Sequence, residues 1–584
     1  MQDHQKTLLL PVTKAPFFAG VFVLIGVVTG VLPFVTAIIR QAMIDCAAAQ
    51  RLESFAGFLV LNLLLGYASG FGLPWISKGI SAKIRYAMVP ETKTRIVRKK
   101  ASMTYICHES AEVSDLFAGM DEPYDFIWLC WQSGTAVVSS VLGIAGLLLY
   151  IAQIGWIAAG VFAAAVIPVI IVSVRSGNTY YDTWARTAGF RRRCRDLKEV
   201  LTNRKYAQEK LLFGYHDELL RRWKQNYETV RTDSVKEELK GAKRVTACGM
   251  LLCVVILGLM LYMVRALVDG SIGLGMVISV ISVFPAFLSQ VVVTLSNQLN
   301  TLSRAHKQVC AFDAIMALPD EEDAFEIPLS ECTFERIVFE DVSFRYPSSE
   351  AWILRHVSFE IKRGQHYALV GVNGAGKTTL IKLLMRLYRA TEGRILVDGK
   401  DICELPRRRV MGLVSALFQD YARYAQTAGD NIGIGDMNSI SDREAIKTCA
   451  RLSGASAWIE KFDEGYETML SSIFEGGVDL SGGEWQKIAI ARLLHAKTPI
   501  KILDEPTAAL DPFSEMEIYR GFQKIMQGTT TLTISHRLAS CRYADIIFVL
   551  NRGHISEQGT HEQLMESGGL YAQMYQAQRE MYER

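Results

Sequence analysis

The 584-residue chain lacks paired cysteines. Its eleven cysteines are scattered, among them Cys46, Cys107, Cys130, Cys194, Cys248, Cys253 and Cys310, and none stands in a Cys-x-x-Cys pair. Zinc-ribbon and dithiol chemistry are thereby excluded, and buried or cytosolic-face thiols are expected. A dominant charge is also missing: 63 Lys and Arg against 60 Asp and Glu leave a net +3. No basic patch interleaved with aromatics stands in the second half, so nucleic acid is not an expected partner. The start has no short apolar core followed by a small-residue cleavage site. The first apolar run therefore reads as a retained membrane helix rather than a signal peptide.

Hydrophobic residue is abundant instead. Half the residues are hydrophobic, and the mean hydropathy is +0.17. For a chain long enough for two or more folding units, that composition favours a membrane class. A bilayer core of ~30 Å needs about 20 apolar residues at helical rise. Six segments meet that demand: Phe17 to Ile39, Phe55 to Ile76, Ala136 to Ile154, Ile157 to Val174, Val245 to Val268, and Leu274 to about Leu295. Pro33, Pro74, Pro168 and Pro285 lie within or near these runs, where bundle neighbours tolerate kinks.

The connections alternate. Those after the first, third and fifth segments are short and nearly free of Lys and Arg. The other two are long and basic, with Lys78 to Lys100 in one and Arg191-Arg192-Arg193-Cys194-Arg195 in the other. The positive-inside rule places both in the cytoplasm, and with an even number of spans both termini lie there too. Sparse Gly and Pro and helical apolar spacing predict that the membrane helices continue through these stretches. The chain is expected to turn back at Ser110 to Asp121 and at Asn203 to Lys210. The sixth segment closes on Ser289, Gln290, Thr294, Ser296, Asn297, Gln298 and Asn300. Polar side chains at that depth either line a transport path or bond between helices, and the sequence leaves both open.

Near Leu318 the composition changes. The acidic run Pro319-Asp320-Glu321-Glu322-Asp323 precedes alternating β-branched and aromatic residues, Ile337, Val338, Phe339, Val342 and Phe344. These read as a soluble strand, and strands alternate with helices to about residue 571, as in an α/β nucleotide-binding domain. The expected organisation is an N-terminal cytoplasmic segment (1–15), a membrane all-α six-helix domain with long cytoplasmic helical extensions (16–305), a linker (306–335), and that α/β domain (336–584).

The chemistry is concentrated in that last domain. The apolar strand Tyr367-Ala368-Leu369-Val370 runs into Gly371-Val372-Asn373-Gly374-Ala375-Gly376-Lys377-Thr378-Thr379, and a helical stretch follows. This strand–loop–helix pattern is a phosphate-binding loop. Its glycines let backbone N–H groups converge on phosphates, with the helix N-terminus behind them. Lys377 is expected on the β- and γ-phosphates and the Thr378 hydroxyl on Mg²⁺. Further on, Leu480-Ser481-Gly482-Gly483-Glu484 opens a helical stretch. Just beyond it, Ile500-Lys501-Ile502-Leu503 is a buried strand ending in Asp504 and Glu505. Asp504 suits the outer coordination of Mg²⁺. Glu505 is positioned to orient or activate an attacking water.

With these motifs in this order, the chain resembles the ATP-binding cassette (ABC) transporter superfamily in its six-helix exporter arrangement. The resemblance spans nearly the whole chain. It implies that Tyr346, in Phe-Arg-Tyr-Pro, stacks on adenine. Gln419, in Leu-Phe-Gln-Asp, links Mg²⁺ to the membrane domain. Leu480 to Glu484 are the signature, Ala508 to Asp511 the loop after the catalytic carboxylate, and His536 the switch histidine that senses the γ-phosphate. One chain carries one signature and one phosphate loop, so the resemblance implies a second half-transporter, with a homodimer favoured and a heterodimer open. The two turns resemble the family's coupling helices.

Two departures stand out. Thr427-Ala428-Gly429-Asp430-Asn431-Ile432 lacks the usual Arg-Glu before Asn-Ile, and Lys501 occupies a strand that the family fills with apolar residues. Lys501 is expected to snorkel from the strand's edge. The stretch Leu201 to Gly214 is similar to bacterial exporters of modified peptides such as lantibiotics. No cysteine-peptidase segment precedes the first span, so leader cleavage is not expected of this chain. Expected partners are membrane lipid and a transported peptide, drug-like or lipidic molecule. Import of a metal–chelator complex and an ATP-gated channel or sensor are the alternatives on the same scaffold. Lys377→Ala is expected to abolish nucleotide binding or hydrolysis, measured by nucleotide binding and phosphate release; unchanged activity would remove the phosphate-loop assignment.

Overall fold

The computed structural model describes residues 7–118, 125–322, 326, 328, 332–347, 349–505, 528–535 and 538–583. The chain divides into two compact units, one of residues 1–103 and 107–319, the other of 104–106 and 320–584.

The first unit is helical. Among the described residues, six helices are long and apolar enough to cross a membrane: α1 (Pro16–Ala48), α2 (Leu52–Ser102), α3 (Phe126–Ala152), α4 (Trp156–Arg186), α5 (His216–Val268) and α6 (Leu274–Met316). As the low Gly and Pro content suggested, the helices run well beyond the apolar windows. α5 has 53 residues, a length of roughly 80 Å at 1.5 Å per residue. π-turns at Ala68–Gly72 and Ser289–Leu295 interrupt α2 and α6. The first turn-back begins earlier than expected. The helix stops at Ser102, and short helices follow at Tyr105–Glu109 and Ala111–Ala118. Residues 119–124, which include the expected end at Asp121, lie outside the described residues. The second turn-back falls where expected: α5's predecessor, Ala188–Thr202, ends at Asn203. A short helix, Ala207–Phe213, then closes on Gly214 in the left-handed region (φ 61°).

In lipid, helices associate by close packing rather than by hydrophobic drive. α1 meets α3 through small residues. A Cβ added at Gly30 would sit 2.6 Å from the Ser139 carbonyl oxygen, and one at Gly146 would sit 2.8 Å from the Phe34 Cβ. Polar bonds lock the ends: Tyr150 Oη donates to Gln41 Oε1 (2.8 Å), and Gly275 N–H donates to Asp45 Oδ1 (3.1 Å). Two of the polar residues of α6 bond between helices. Gln290 Nε2 donates to Ser140 Oγ at 2.7 Å, and the hydroxyls of Ser296 and Ser173 are 2.7 Å apart. Ser289 and Asn297 stay exposed.

The second unit holds two sheets. β1 (Arg336–Phe344), β2 (Leu354–Lys362), β4 (Glu392–Val397) and β5 (Lys400–Asp401) form an antiparallel sheet in the order β2-β1-β4-β5. β3 (His366–Gly371), β6 (Val414–Leu417), β7 (Ile500–Asp504), β8 (Thr530–Ile534), β9 (Ile546–Asn551) and β10 (His554–Gly559) form the other, in the order β10-β9-β3-β8-β7-β6. It is parallel apart from β10. A core including Phe339, Val357, Ile361, Leu369, Leu380, Ile502 and Leu532 fills the space between the sheets. A smaller cluster around Ile432, Ile446, Ile459 and Trp485 forms a helical layer. From the acidic linker run, Glu321 and Glu322 pair with Arg407 (3.7 Å) and Arg386 (2.9 Å) of this unit.

Overpacking a tight contact costs about 1–3 kcal/mol. Gly30→Leu is therefore expected to separate α1 from α3 and lower the thermal midpoint of the detergent-solubilised protein, while Gly20→Leu, which meets nothing within 4 Å, leaves it unchanged.

Candidate functional site

Parallel strands carry their loops to one edge of the sheet, and a crevice at that edge is where ligands bind in open α/β folds. Here β3 delivers the phosphate loop, β7 delivers Asp504 and Glu505, and β6 delivers Gln419, which is exposed two residues past the strand's end. Gly371 to Gly376 join β3 to α7 (Lys377–Leu384). The loop depends on glycine: Gly374 and Gly376 have φ of 78° and 105°, and a Cβ at Gly376 would lie 2.8 Å from Leu354 Cδ2. L side chains disfavour such φ values. Val372, Asn373 and Gly374 are exposed along the loop, Ala375 is buried, and Thr378 stands exposed in the first turn of α7 beside buried Thr379.

Lys377 folds back over this loop. Its Nζ donates to the carbonyls of Gly371 (2.8 Å) and Val372 (3.2 Å). Burial draws its ammonium below the usual lysine range, against the opposing pull of Glu505 and Asp504. Those same groups define the other wall. Asp504 is only 7% exposed, and its burial, followed by the neighbouring Glu505 carboxylate, pushes it up to about 6 although Lys377 pulls the other way. Glu505 leaves the strand in the left-handed region (φ 52°), its N–H bonded to Ile534 O at 3.0 Å. A non-glycine residue held there marks a stored strain of the kind found at functional sites. Tyr346 reaches the same helix: its hydroxyl is 3.0 Å from Thr379 Oγ1. Its ring stands edge-on to Phe344 and Tyr388, with the Lys382 ammonium 5.8 Å from its centroid.

The signature residues occupy a different place. Ser481 is the N-cap of α10 (Gly482–His495; α8, Ala428–Gly433, and α9, Arg443–Leu452, precede it). It forms a capping box: Ser481 Oγ accepts the Glu484 N–H (3.3 Å), and Glu484 Oε2 accepts the Ser481 N–H (2.8 Å). α10 packs on α8, α9 and β6. Among the described residues, no hydrogen bond joins Ser481, Gly482, Gly483 or Glu484 to the phosphate loop. The signature is tied instead to the segment after Gln419, where Tyr421 Oη donates to Gly482 O at 3.0 Å. His536 and Ala508 to Asp511 lie outside the described residues.

One feature went unseen in the sequence and another was misread. The segment after Gln419 is strapped to α10 by Arg492. Its guanidinium donates to Asn431 O (2.8 Å), Asn431 Oδ1 (3.1 Å) and Ala422 O (3.0 Å) and lies 4.8 Å from the Tyr424 ring centroid. Fully buried Asn431 in turn donates to the carbonyls of Tyr424 and Thr427. The stretch that lacks the family's Arg-Glu is thus still ordered, with Thr427 capping α8 through the Asp430 N–H. An arginine on the apolar-rich face of a helix was the only available signal. Lys501 is the second, and it corrects an expectation. It does not snorkel from an edge, because β7 lies between β6 and β8. The residue is 6% exposed, and its Nζ donates to Leu493 O (2.9 Å) and Ala496 O (2.6 Å).

Comparison with known proteins accords with this geometry. Residues 354–508 match the model of the ABC transporter family. The match covers the cassette, and the helical unit with candidate membrane spans fused to it gives the chain the architecture of an ABC exporter half-transporter, which implies an ATPase coupled to transport. It is 28% identical to the subtilin transport ATP-binding protein SpaT of Bacillus subtilis, over 95% of this chain and 91% of that one. It is 29% identical to an ATP-dependent lipid A-core flippase of Alkalilimnicola ehrlichii, over 90% and 87% of the two chains. Its fold matches a bacterial Atm1-family ABC exporter with ATP bound, at TM-score 0.76 and 22% identity over 97% of this chain and 98% of that one.

Hydrogen bonds from a charged donor contribute about 1.5–3 kcal/mol each. Arg492→Ala, which removes three, is expected to loosen the cassette's Ala422–Asn431 segment, seen as faster proteolysis there in the full-length ABC protein.

Proposed function

We propose that two copies of this chain pair so that each cassette's signature closes on ATP held by the other's phosphate loop, and that this closure drives a modified peptide out across the cytoplasmic membrane. The observation that carries the pairing is that the chain has one signature and one phosphate loop, with no hydrogen bond between them among the described residues. A helix start already closed by its own capping box offers Ser481, Gly482 and Gly483 to a phosphate arriving from elsewhere. The apolar tip Leu211-Leu212-Phe213 on the second turn-back is 80%, 77% and 70% exposed, which suits a surface covered by the partner copy's cassette.

Within each site, Tyr346 stacks on adenine, and the N–H groups of the loop from Gly371 to Thr379, with Lys377, hold the phosphates. Thr378 and Gln419 supply oxygen ligands to Mg²⁺, with Asp504 acting through water. A hydroxyl, an amide and a carboxylate are hard oxygen donors that leave room for the waters Mg²⁺ retains. Glu505 orients or activates the attacking water, and His536 senses the γ-phosphate. Both termini and the cassette lie in the cytoplasm on this reading, which the basic turn-backs support. Alternating access follows when ATP binds the closed pair better than the open one.

The peptide reading is supported by a relative named for subtilin transport that matches along both halves of the chain. A lipidic substrate is the second reading. An apolar cavity of about 390 Å³ in the membrane unit, lined by Leu8, Val23, Val27, Trp131, Gly134 and Leu302, favours it.

General-base groups contribute about 10²–10⁴ in rate. Glu505→Gln is expected to keep ATP, accumulate as a closed pair on size exclusion and lose at least that much turnover. Hydrolysis at the wild-type rate would overturn the assignment of the base. ATPase in proteoliposomes should rise with a leader-bearing modified peptide, and a rise with phospholipid alone would favour the second reading.

A further inference from the structure

Lys501 is buried, polar and unused by the chemistry above. Along β7, Ile500 and Ile502 face the core between the sheets, while Leu503 packs with Ala489, Ile490 and Leu493 of α10 and with Leu417 of β6. Period-2 alternation puts Lys501 on that second face. Its ammonium closes the far end of α10. Leu493 and Ala496 carry two of the terminal carbonyls that a helix leaves without partners, and a cation there also meets the negative end of the helix dipole. The opposite end of this 14-residue helix is the signature, about 21 Å away. Three residues after Lys501 the same strand ends in Asp504 and Glu505.

A buried cation is an expensive way to hold two elements that apolar residues already pack together. A volume-matched apolar residue is often neutral or better for stability. What the ammonium adds is direction: a pin of fixed length between the carboxylate strand and the last turn of the signature helix. We infer that Lys501 is a positioning residue that fixes the signature helix to the Asp504–Glu505 strand, so that the state of one ATP site is passed to the signature serving the other. The second clause of that inference rests on the paired reading above.

The surroundings of the amine are sparse in charge. Ser415 of β6 and Thr531 of β8 flank Lys501 in the sheet. The Cys449 thiol of α9 is the titratable group acting on it, and His495, near the end of α10, turns its Nε2 to Ser439 O. Burial brings the ammonium down to about 8. Above that pH the neutral amine still has two hydrogens but no charge to hold the helix end.

The test uses the full chain in nanodiscs, comparing wild type, Lys501→Met and Lys501→Arg. The Met variant should fold, with a thermal midpoint lowered by the loss of two hydrogen bonds, keep KM for ATP within about twofold, lose about tenfold in kcat and lose cooperativity in ATP. The Arg variant stays charged, so it should hold its activity and cooperativity at pH 9, where wild type has lost both relative to pH 7. Wild-type kcat and cooperativity in Lys501→Met would overturn the inference. So would superimposable pH profiles for wild type and Lys501→Arg, whatever the Met variant's stability. A wild type that is monomeric with a Hill coefficient of 1 would instead sink the paired reading, and the kcat comparison would then decide whether Lys501 positions the carboxylates at all.

Discussion

The cassette is organised by one electrostatic constraint: carboxylates and a lysine must face each other at the end of a buried sheet. Asp504 is nearly closed off from solvent beside Glu505, and Lys377 lies across from them on the phosphate loop. None of the three is comfortable. Burial raises the acid and lowers the base, and Glu505 sits at a positive φ. Two sheets of packed hydrophobic residues keep them there. A charged phosphate and a divalent cation would relieve the arrangement, which is why an ATP site can be built from groups that oppose one another in its absence.

That constraint reaches outward through polar ties rather than through the hydrophobic core alone. Lys501 joins the carboxylate strand to the end of α10, and Arg492, in the last turn of the same helix, joins it to the segment after Gln419. Lys501 ends on backbone carbonyls, and Arg492 on two carbonyls and the Asn431 side-chain oxygen. The carbonyl bonds specify position without depending on another side chain's rotamer, and together they tie the C-terminal end of α10 to a strand and a loop. The membrane unit uses a different device. Its helices meet at Gly30 and Gly146, where close approach replaces the hydrophobic drive that lipid removes.

The sequence made the chemistry legible because phosphate loops, signature and carboxylate strand are local: each needs contiguous residues in a strand–loop–helix order. It also made the spans legible, since apolar length is a property of a single segment. The first turn-back was misplaced by several residues because a helix end at Ser102 has no glycine or proline to announce it. The polar residues of α6 could not be divided between path and glue until Gln290 and Ser296 were seen to bond to Ser140 and Ser173 on other helices.

What the sequence determined by itself was therefore the two-part architecture, the apolar spans and the strand–loop–helix order of the phosphate loop, because each is a property of contiguous residues. What only the tertiary structure decided was the use made of unexpected polar residues. Lys501 looked like an edge residue, because strand position in a sheet is not written locally: β7 became interior only when β6 and β8 closed on either side.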